Sequence, residues 1–192
     1  MLNNNVVALE DEDKRGYYVT LELYQYREGE LIDKRVVEDD YILRNWVYLW
    51  LNILAGDRKA EARDDYKLID IDNVERTFTL NKIYFNQYGG VIYLGTGSNP
   101  VAVTNYALQT EVLNQQVDDV HIWINGNQFN VTSDSTIVSD GSYTITEAGL
   151  TMGIHLGAIY EVLICRDVFS GINVNIDDVI VVRYIFRFNL GV

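Results

Sequence analysis

The sequence predicts a mainly β protein, an antiparallel, jelly-roll-like β-sandwich with one long helix packed on it. Several segments alternate apolar and polar residues with the period of two that is typical of strands. Tyr and Gly occur 14 times each and Pro only once, which suits strands joined by tight turns. The length of 192 residues suits a single domain. We therefore predict an N-terminal arm over residues 1–15 and one β-sandwich domain over residues 16–192.

The strands are placed by their alternation and by the turns between them. Asn125 with Gly126, and Asp140 with Gly141, are strong signals for short hairpin turns. In the last segment, alternation puts the apolar residues on one face and two arginines on the other. The predicted strands cover residues 17–27, 30–36, 66–71, 74–85, 91–94, 121–124, 128–131, 136–138, 143–146, 158–166 and 178–188. Between them, residues 95–114 form a looser stretch, with helical character predicted near residues 107–112.

One long helix is predicted over residues of about 40–55, ending at Gly56. On a helical wheel its apolar side chains fill about 200°, whereas a surface helix needs only one apolar stripe. We expect this helix to be covered on two sides, by its own sheet and by either a loop or a neighbouring subunit. The interface candidates are the aromatic residues Tyr41, Trp46, Tyr48 and Trp50.

Composition excludes several classes of function. The formal net charge of −13 argues against a nucleic-acid partner, because such binding depends on clustered Lys and Arg. No apolar run approaches the roughly 20 residues that a bilayer span needs, and the N-terminus is polar, so we expect neither a membrane partner nor a secretory signal. A single cysteine, Cys165, and two histidines cannot form a Cys-rich zinc site or an internal disulfide. We expect no cofactor.

Motifs that suggest chemistry all have simpler structural interpretations. Residues 95–98 (GTGS) are glycine-rich, but the Gly-Lys-Ser/Thr of a phosphate loop is missing, so a structural turn is favoured. Paired aspartates leave calcium as a weaker alternative, because no segment fits the twelve-residue calcium loop. His121 and His155 have no acid or nucleophile at a spacing that indicates a triad. The sequence therefore predicts no catalytic, cofactor-binding or metal-binding residue.

Aromatic side chains offer one candidate for ligand binding. Tyr and Trp present flat apolar faces with a polar edge, which suits stacking against sugars. Trp123 lies beside the predicted Asn125–Gly126 turn and is the candidate stacking residue. The same residue types also fill sheet cores and subunit interfaces, which remains the favoured interpretation.

Three segments, taken in order, resemble a broad group of bacteriophage virion proteins. The first is YLGTGSNP at residues 93–100, followed by Thr104, Ala107, Leu108 and Glu111, which is similar to a "GTG, then P, then T, AL and E" pattern. The second is TITEAGL at residues 144–150, which resembles an "EAGL" or "EVGL" strand end. The third comprises LICRDVF at residues 163–169 and DDVIVVRY at residues 177–184, which resemble a closing pair of strands.

The resemblance covers residues of about 40–188 and implies a function. Proteins of this group are tail, fibre-base or capsid-associated components with β-sandwich cores, and they act as multimers rather than as enzymes. The chain departs from the group in the hairpin region over residues 120–140 and in the Tyr-rich N-terminal hairpin.

Our leading hypothesis is therefore a non-enzymatic virion protein that forms homo-oligomers and binds other virion proteins, with the arm and the helix as candidate contacts. The alternative hypothesis is a carbohydrate- or receptor-binding module, with a host-surface glycan as ligand and Trp123 as its stacking ring.

Overall fold

A computed structural model describes residues 17–38, 43, 45–47, 67–76, 90–155 and 157–189, and the fold is given for these residues. They form a mainly β structure in which every strand pairing is antiparallel. The strands are β1 (Tyr17–Arg27), β2 (Glu30–Glu38), β3 (Leu68–Ile69), β4 (Glu75–Arg76), β5 (Val91–Gly95), β6 (Glu111–Gln116), β7 (Asp119–Asn125), β8 (Gln128–Val138), β9 (Tyr143–His155), β10 (Ile159–Val174) and β11 (Val179–Asn189).

The strands form two large sheets and one small hairpin. Sheet A has five strands in the order β2-β1-β11-β8-β7, and sheet B has four in the order β10-β9-β5-β6. Strands β3 and β4 pair with each other. Within the large sheets, strands that follow each other in the chain form hairpins, whereas β11 returns to lie between β1 and β8.

Both sheets contribute side chains to one hydrophobic core. Alternate residues along each strand point to the same face of the sheet, so each strand can bury one row of apolar residues. Val19, Leu21 and Leu23 of β1 are buried, as is Tyr184 of β11. They belong to the same cluster as Ile145 of β9 and other residues of sheet B. Strand β6 contacts β8, and β10 contacts β2, and β7 follows β8 as the last strand of sheet A in the described part of the chain.

A buried carboxylate joins three turns at one end of the sheets. Asp178 accepts hydrogen bonds from Arg27 Nε and one terminal guanidinium nitrogen, both at 2.8 Å, from Gln25 Nε2 at 2.7 Å and from the Asn175 amide at 2.8 Å. Its own carbonyl accepts the Ser139 amide at 2.9 Å. The hydrogen bond and charge of Arg27, with the Asn175 and Gln25 bonds, lower the pKa of Asp178 below its ordinary value despite burial.

Most strand predictions are confirmed. The first strand has the predicted bounds, and β7 and β8 form the predicted hairpin, with its turn at residues 126–127 rather than 125–126. The hairpin predicted at Asp140–Gly141 does not form, because β8 belongs to sheet A and β9 to sheet B, so this turn connects the two sheets. In β11 the predicted apolar face is buried, while Arg183 is only half-buried on the other face. Strands β8, β9 and β10 extend further than predicted because their partners continue the ladder, which sequence alternation alone does not reveal.

The long helix predicted over residues 40–55 is not seen. Within that range the structure describes residue 43 and the short helical segment 45–47, and Tyr41, Tyr48 and Trp50 lie outside the described residues. The Leu43 amide donates to the Ile164 carbonyl of β10 at 3.2 Å, and residue 43 is not helical. The predicted arm over residues 1–15 also lies outside the described residues.

The helical character predicted near residues 107–112 is wrong. Residues 111–116 form strand β6, and no helix occurs between residues 96 and 110. The physical reason is a side chain from another strand. Glu147 of β9 accepts the backbone amides of Gln109 and Thr110, which holds this segment in a non-helical conformation against sheet B.

Candidate functional site

A buried ion pair lies on sheet B at the centre of the segments that carry the sequence motifs. Glu147 of β9 is 0% exposed and Arg166 of β10 is 2% exposed. Two guanidinium nitrogens of Arg166, Nε and a terminal nitrogen, donate to Glu147 Oε2 at 2.9 and 2.7 Å. A further Arg166 nitrogen donates to Asn105 Oδ1 at 3.1 Å. Charged side chains are almost never fully buried unless they are paired, and this pair satisfies that condition.

The carboxylate also binds three backbone amides of the loop over residues 96–110. Gly97 and Thr110 donate to Glu147 Oε1 at 3.0 and 2.8 Å, and Gln109 donates to Oε2 at 3.1 Å. Both oxygens are therefore occupied by donors that belong to the chain itself. We call Glu147, Arg166 and the three amides the Glu147 clamp, because together they fasten the loop to sheet B.

The glycines of the GTG motif are explained by this clamp. A Cβ atom on Gly95 would lie 2.6 Å from Glu147 Oε1, and one on Gly97 would be closer still. Both distances are well inside van der Waals contact, so no other residue fits without moving the carboxylate. Thr146 beside it donates to the Gly97 carbonyl at 2.7 Å. The motif thus allows close approach of the loop to a buried carboxylate, which is a structural role that the sequence analysis did not specify.

The clamp keeps Glu147 ionised. Burial alone would raise its pKa, but the amides of Thr110 and Gln109 and the hydrogen bonds and charge of Arg166 outweigh burial and lower the pKa below its ordinary value. A carboxylate held in this way is a fixed acceptor that positions its neighbours. Within the described residues, the role of this carboxylate is therefore to hold the loop over residues 96–110 in place.

The three sequence segments named above meet at this clamp. Gly97 comes from the first segment, Glu147 from the second and Arg166 from the third. Gly149 of the second segment also faces Leu108 of the first at a distance that leaves no space for a side chain. Sequence reasoning missed the pairing of Glu147 with Arg166. Glu147 is the only acidic residue of β9 and Arg166 is the only Lys or Arg of β10, and this was the signal that could have predicted it.

The second feature of interest is the edge strand β7, all seven residues of which are exposed. Ile122 is 64% exposed and Ile124 is 67% exposed, with Val120 on the same face at 38%. In the described part of the chain, β7 pairs with β8 on one side and with no strand on the other. Large apolar residues on a free strand edge are unusual in a chain that stays alone, because such an edge can pair with another strand.

An apolar cavity of about 380 Å³ adjoins this edge. It lies between the two sheets, with Val120 and Ile122 of β7, Phe129 and Val131 of β8, and Leu150 of β9 among its lining residues. Trp46 also lines it and stacks on Phe186, with ring centroids 5.4 Å apart. The predicted interface residue Trp46 is therefore half-buried and packs against the core of its own chain.

The structure also places the remaining candidates from the sequence. Trp123 is 42% exposed on the opposite face of β7 from Ile122. His121 lies on that face too, with Nε2 at 3.2 Å from Asp119 Oδ2. Asp70 and Asp178, members of the paired aspartates, are buried and accept hydrogen bonds from their own turns. Within the described residues, no group of three or more His, Cys, Asp or Glu side chains could hold a metal ion.

Among the residues that the structure describes, no helix has the length and apolar character needed to cross a membrane. No protein-family model matches the chain, and it shows no significant similarity to a curated protein or to a solved structure.

Proposed function

We propose that this chain is a non-enzymatic structural protein of a virion, which associates with copies of itself and with other virion proteins. Its place would be a capsid decoration, the base of a spike or fibre, or a tail component. The observation that carries the proposal is the exposed apolar edge β7, where Ile122 and Ile124 are each about two-thirds exposed. Apolar surface of this kind is stabilised when another chain covers it.

The architecture that we infer for this role is a jelly-roll-like β-sandwich. Buried residues of sheets A and B form one cluster, and the sheets contact each other at β2 with β10 and at β8 with β6. The last strand, β11, returns to pair with the first, β1, which is the kind of long return found in Greek-key arrangements. Sandwiches of this kind have edges through which copies can associate.

The Glu147 clamp supports the resemblance to virion proteins. Weak motifs that are far apart in sequence gain weight when their residues form one physical unit, and Gly97, Glu147 and Arg166 do so. The unit holds the loop over residues 96–110 on sheet B through three backbone hydrogen bonds. The net charge of −13 supports protein partners rather than nucleic acid.

The experiment that tests this function has two parts. Native mass spectrometry of the purified full chain at rising concentration should show one defined oligomer, because closed symmetric assemblies are the usual outcome of self-association. Peptides of the chain should also be detected in purified virions of the phage that encodes it, at many copies per particle. A chain that stays monomeric at high concentration and is absent from virions would contradict the proposal.

A carbohydrate-binding function is a second candidate, and the exposure of Trp123 favours it. Trp123 is 42% exposed on a strand next to a hairpin turn, where a sugar ring could stack on its indole. A glycan array probed with the wild-type chain and with Trp123→Ala would test this candidate. Binding that is lost in Trp123→Ala but retained in a Tyr24→Ala control on β1 would support it, and an array without any signal would reject it.

A further inference from the structure

We propose that β7 is the self-association strand of this protein: it pairs antiparallel with β7 of a second copy, in a register centred on Ile122. Two five-stranded A sheets would then join into one continuous sheet. This inference rests on the proposed function and names the partner and the contact. It is carried by the backbone, by the side chains and by a comparison with the opposite edge of the same sheet.

The backbone of β7 presents its free groups at the positions that this register requires. Asn125 pairs with Gln128 across a two-residue turn, which makes that pair hydrogen-bonded and leaves every second residue of β7 facing away from β8. Consistent with this pattern, the Val120 amide donates to its own neighbour Asp119 Oδ1 at 2.8 Å. The outward residues are thus Val120, Ile122 and Ile124.

In the proposed register these outward residues meet one another. Ile122 lies opposite Ile122 of the second copy, and Val120 lies opposite Ile124 of the second copy. Each facing pair is of the hydrogen-bonded kind, so the carbonyls of all three residues and the amides of Ile122 and Ile124 find partners. The Val120 amide would exchange Asp119 Oδ1 for a carbonyl of the second copy. A shift by one residue would pair outward groups with inward ones and leave these hydrogen bonds unmade.

In the same register, the side chains of β7 are complementary to those of β7 in the second copy. Val120, Ile122 and Ile124 of both copies form one apolar stripe on the inner face, since directly opposed residues share a face. On the outer face, His121 lies opposite Trp123 of the second copy. Asp119 lies opposite Asn125, so no carboxylate faces another carboxylate. A parallel arrangement would instead place the two Asp119 side chains side by side.

The opposite edge of sheet A shows what a protected edge looks like in this molecule. Strand β2 carries Asp33, Lys34 and Arg35 at its centre, and its pairing with β1 shifts register between Gln25 and Tyr26. Charged residues and bulges are the usual means by which proteins prevent edges from pairing. Strand β7 has neither, because its residues 120–124 include no Lys, Arg, Asp or Glu and its register with β8 is continuous.

The cavity beside β7 gives the second copy a further role. Val120 and Ile122 form part of its lining. In the proposed register, Ile124 of the second copy lies next to Val120 on the same face. The apolar side chains of the second copy would therefore extend the wall of the cavity beyond the edge of a single chain.

The first test is a charge placed at the centre of the contact. Ile122→Lys brings two ammonium groups together at the symmetry axis and should weaken the dimer by about a hundredfold, because like charges across an interface strongly oppose association. The matched control is Val36→Lys on β2, where the native residue is also exposed, at 45%. Sedimentation of the full-length chains over a range of concentrations measures both, and circular dichroism confirms that both variants fold.

The second test determines the register by cross-linking. A cysteine at residue 122 should form a disulfide with its copy, because hydrogen-bonded antiparallel pairs have Cα atoms about 5.5 Å apart. A cysteine at residue 124 should not, since it faces residue 120 and lies about 14 Å from residue 124 of the second copy. The native Cys165 is buried and leaves this assay undisturbed. Non-reducing electrophoresis of Ile122→Cys and Ile124→Cys gives the result.

Three outcomes are informative. A dimer that Ile122→Lys disrupts, that Val36→Lys preserves and that only Ile122→Cys cross-links supports the inference. An oligomer that Ile122→Lys leaves intact, or in which Ile124→Cys cross-links equally well, overturns the inference and leaves the proposed function standing. A chain that is monomeric alone but binds a different virion protein through β7 also overturns the inference, because the occupant of the edge is then not a second copy.

Discussion

The Glu147 clamp and the β7 edge are both built from antiparallel strands, but they differ in whether one chain supplies all of their contacts. In the clamp, a buried carboxylate accepts five hydrogen bonds from its own chain. At the edge, Ile122 and Ile124 remain about two-thirds exposed, and the outward backbone groups have no partner strand in the described part of the chain. One region is complete within a single copy and the other is not.

This difference shows where stability and association reside in the molecule. Burying a charge is unfavourable unless every partner is in place, so the clamp must be formed for the fold to be stable. An apolar residue that is exposed in the folded chain contributes little to the free energy of unfolding, because it is exposed to water in the unfolded chain as well. Changes in the clamp should therefore affect unfolding, whereas changes at the edge should affect association.

The largest effect is expected from Arg166→Met. Methionine retains much of the apolar volume but leaves the Glu147 carboxylate buried with only backbone donors. Loss of one partner from a buried ion pair typically costs about 3–5 kcal/mol of unfolding free energy. Denaturant unfolding followed by tryptophan fluorescence measures this change, and the oligomer in native mass spectrometry should stay the same at concentrations where the variant is folded.

The matched control is Arg183→Met. Arg183 binds Asp134 through Nε at 3.0 Å, but its side chain is 39% exposed. Pairs in such solvent-accessible positions contribute about 0–1 kcal/mol. An Arg166→Met variant that loses no more stability than Arg183→Met would show that the clamp is not the stabilising unit that its geometry indicates.

Much of the fold could be predicted from the sequence because strand signals are local. The alternation in residues 17–27 and the Asn-Gly turn signal depend only on neighbours in the chain. Strand β1 has the predicted bounds, and the β7–β8 hairpin forms with its turn at residues 126–127, one residue later than predicted. The helix predicted near residues 107–112 failed for the opposite reason. Glu147, about 40 residues away in the chain, binds the amides of Gln109 and Thr110 and overrides their local preference.

The candidate site was less predictable because it depends on which strands become neighbours. The sequence singled out GTG at residues 95–97, and it did not show that Glu147 and Arg166 meet there, since the pairing of β9 with β10 was not predicted. It also gave no sign that β7 would be an edge strand. Trp46 drew attention as an apolar residue of a predicted helix, whereas its position against Phe186 follows from tertiary packing.

A smaller effect is expected from acid on the Asp178 cluster, which is complete within one chain like the clamp. The folded pKa of Asp178 is lowered by Arg27, so its contribution is present at neutral pH and is lost as pH falls below the unfolded value of about 3.9. Asp178→Asn should remove about 2 kcal/mol at pH 7 and progressively less in acid. Unfolding free energies of both chains at a series of pH values between 2 and 7 measure this convergence.

For this cluster the control is Asp119→Asn, at an exposed carboxylate on β7. It should change unfolding free energy little across the pH series, because its side chain is 63% exposed and lies outside the Asp178 cluster. The contrary result is a difference in unfolding free energy between Asp178→Asn and the wild type that is equally independent of pH. In that case the hydrogen bonds from Arg27 and Gln25 do not favour the ionised carboxylate, and the cluster does not stabilise its charge as the clamp does.

The smallest effect on the stability of a single chain is expected from Ile124→Thr. Threonine favours strands and residue 124 is exposed, so the unfolding free energy at high dilution should change by less than about 0.5 kcal/mol. The dependence of melting temperature on protein concentration should nevertheless weaken, because association stabilises the wild type by mass action. Leu31→Thr on β2, where the native residue is 52% exposed, should keep the wild-type dependence. If the two variants behave alike, the two edges of sheet A are equivalent in association. The incomplete surface that contrasts with the clamp would then lie elsewhere on the chain than at β7.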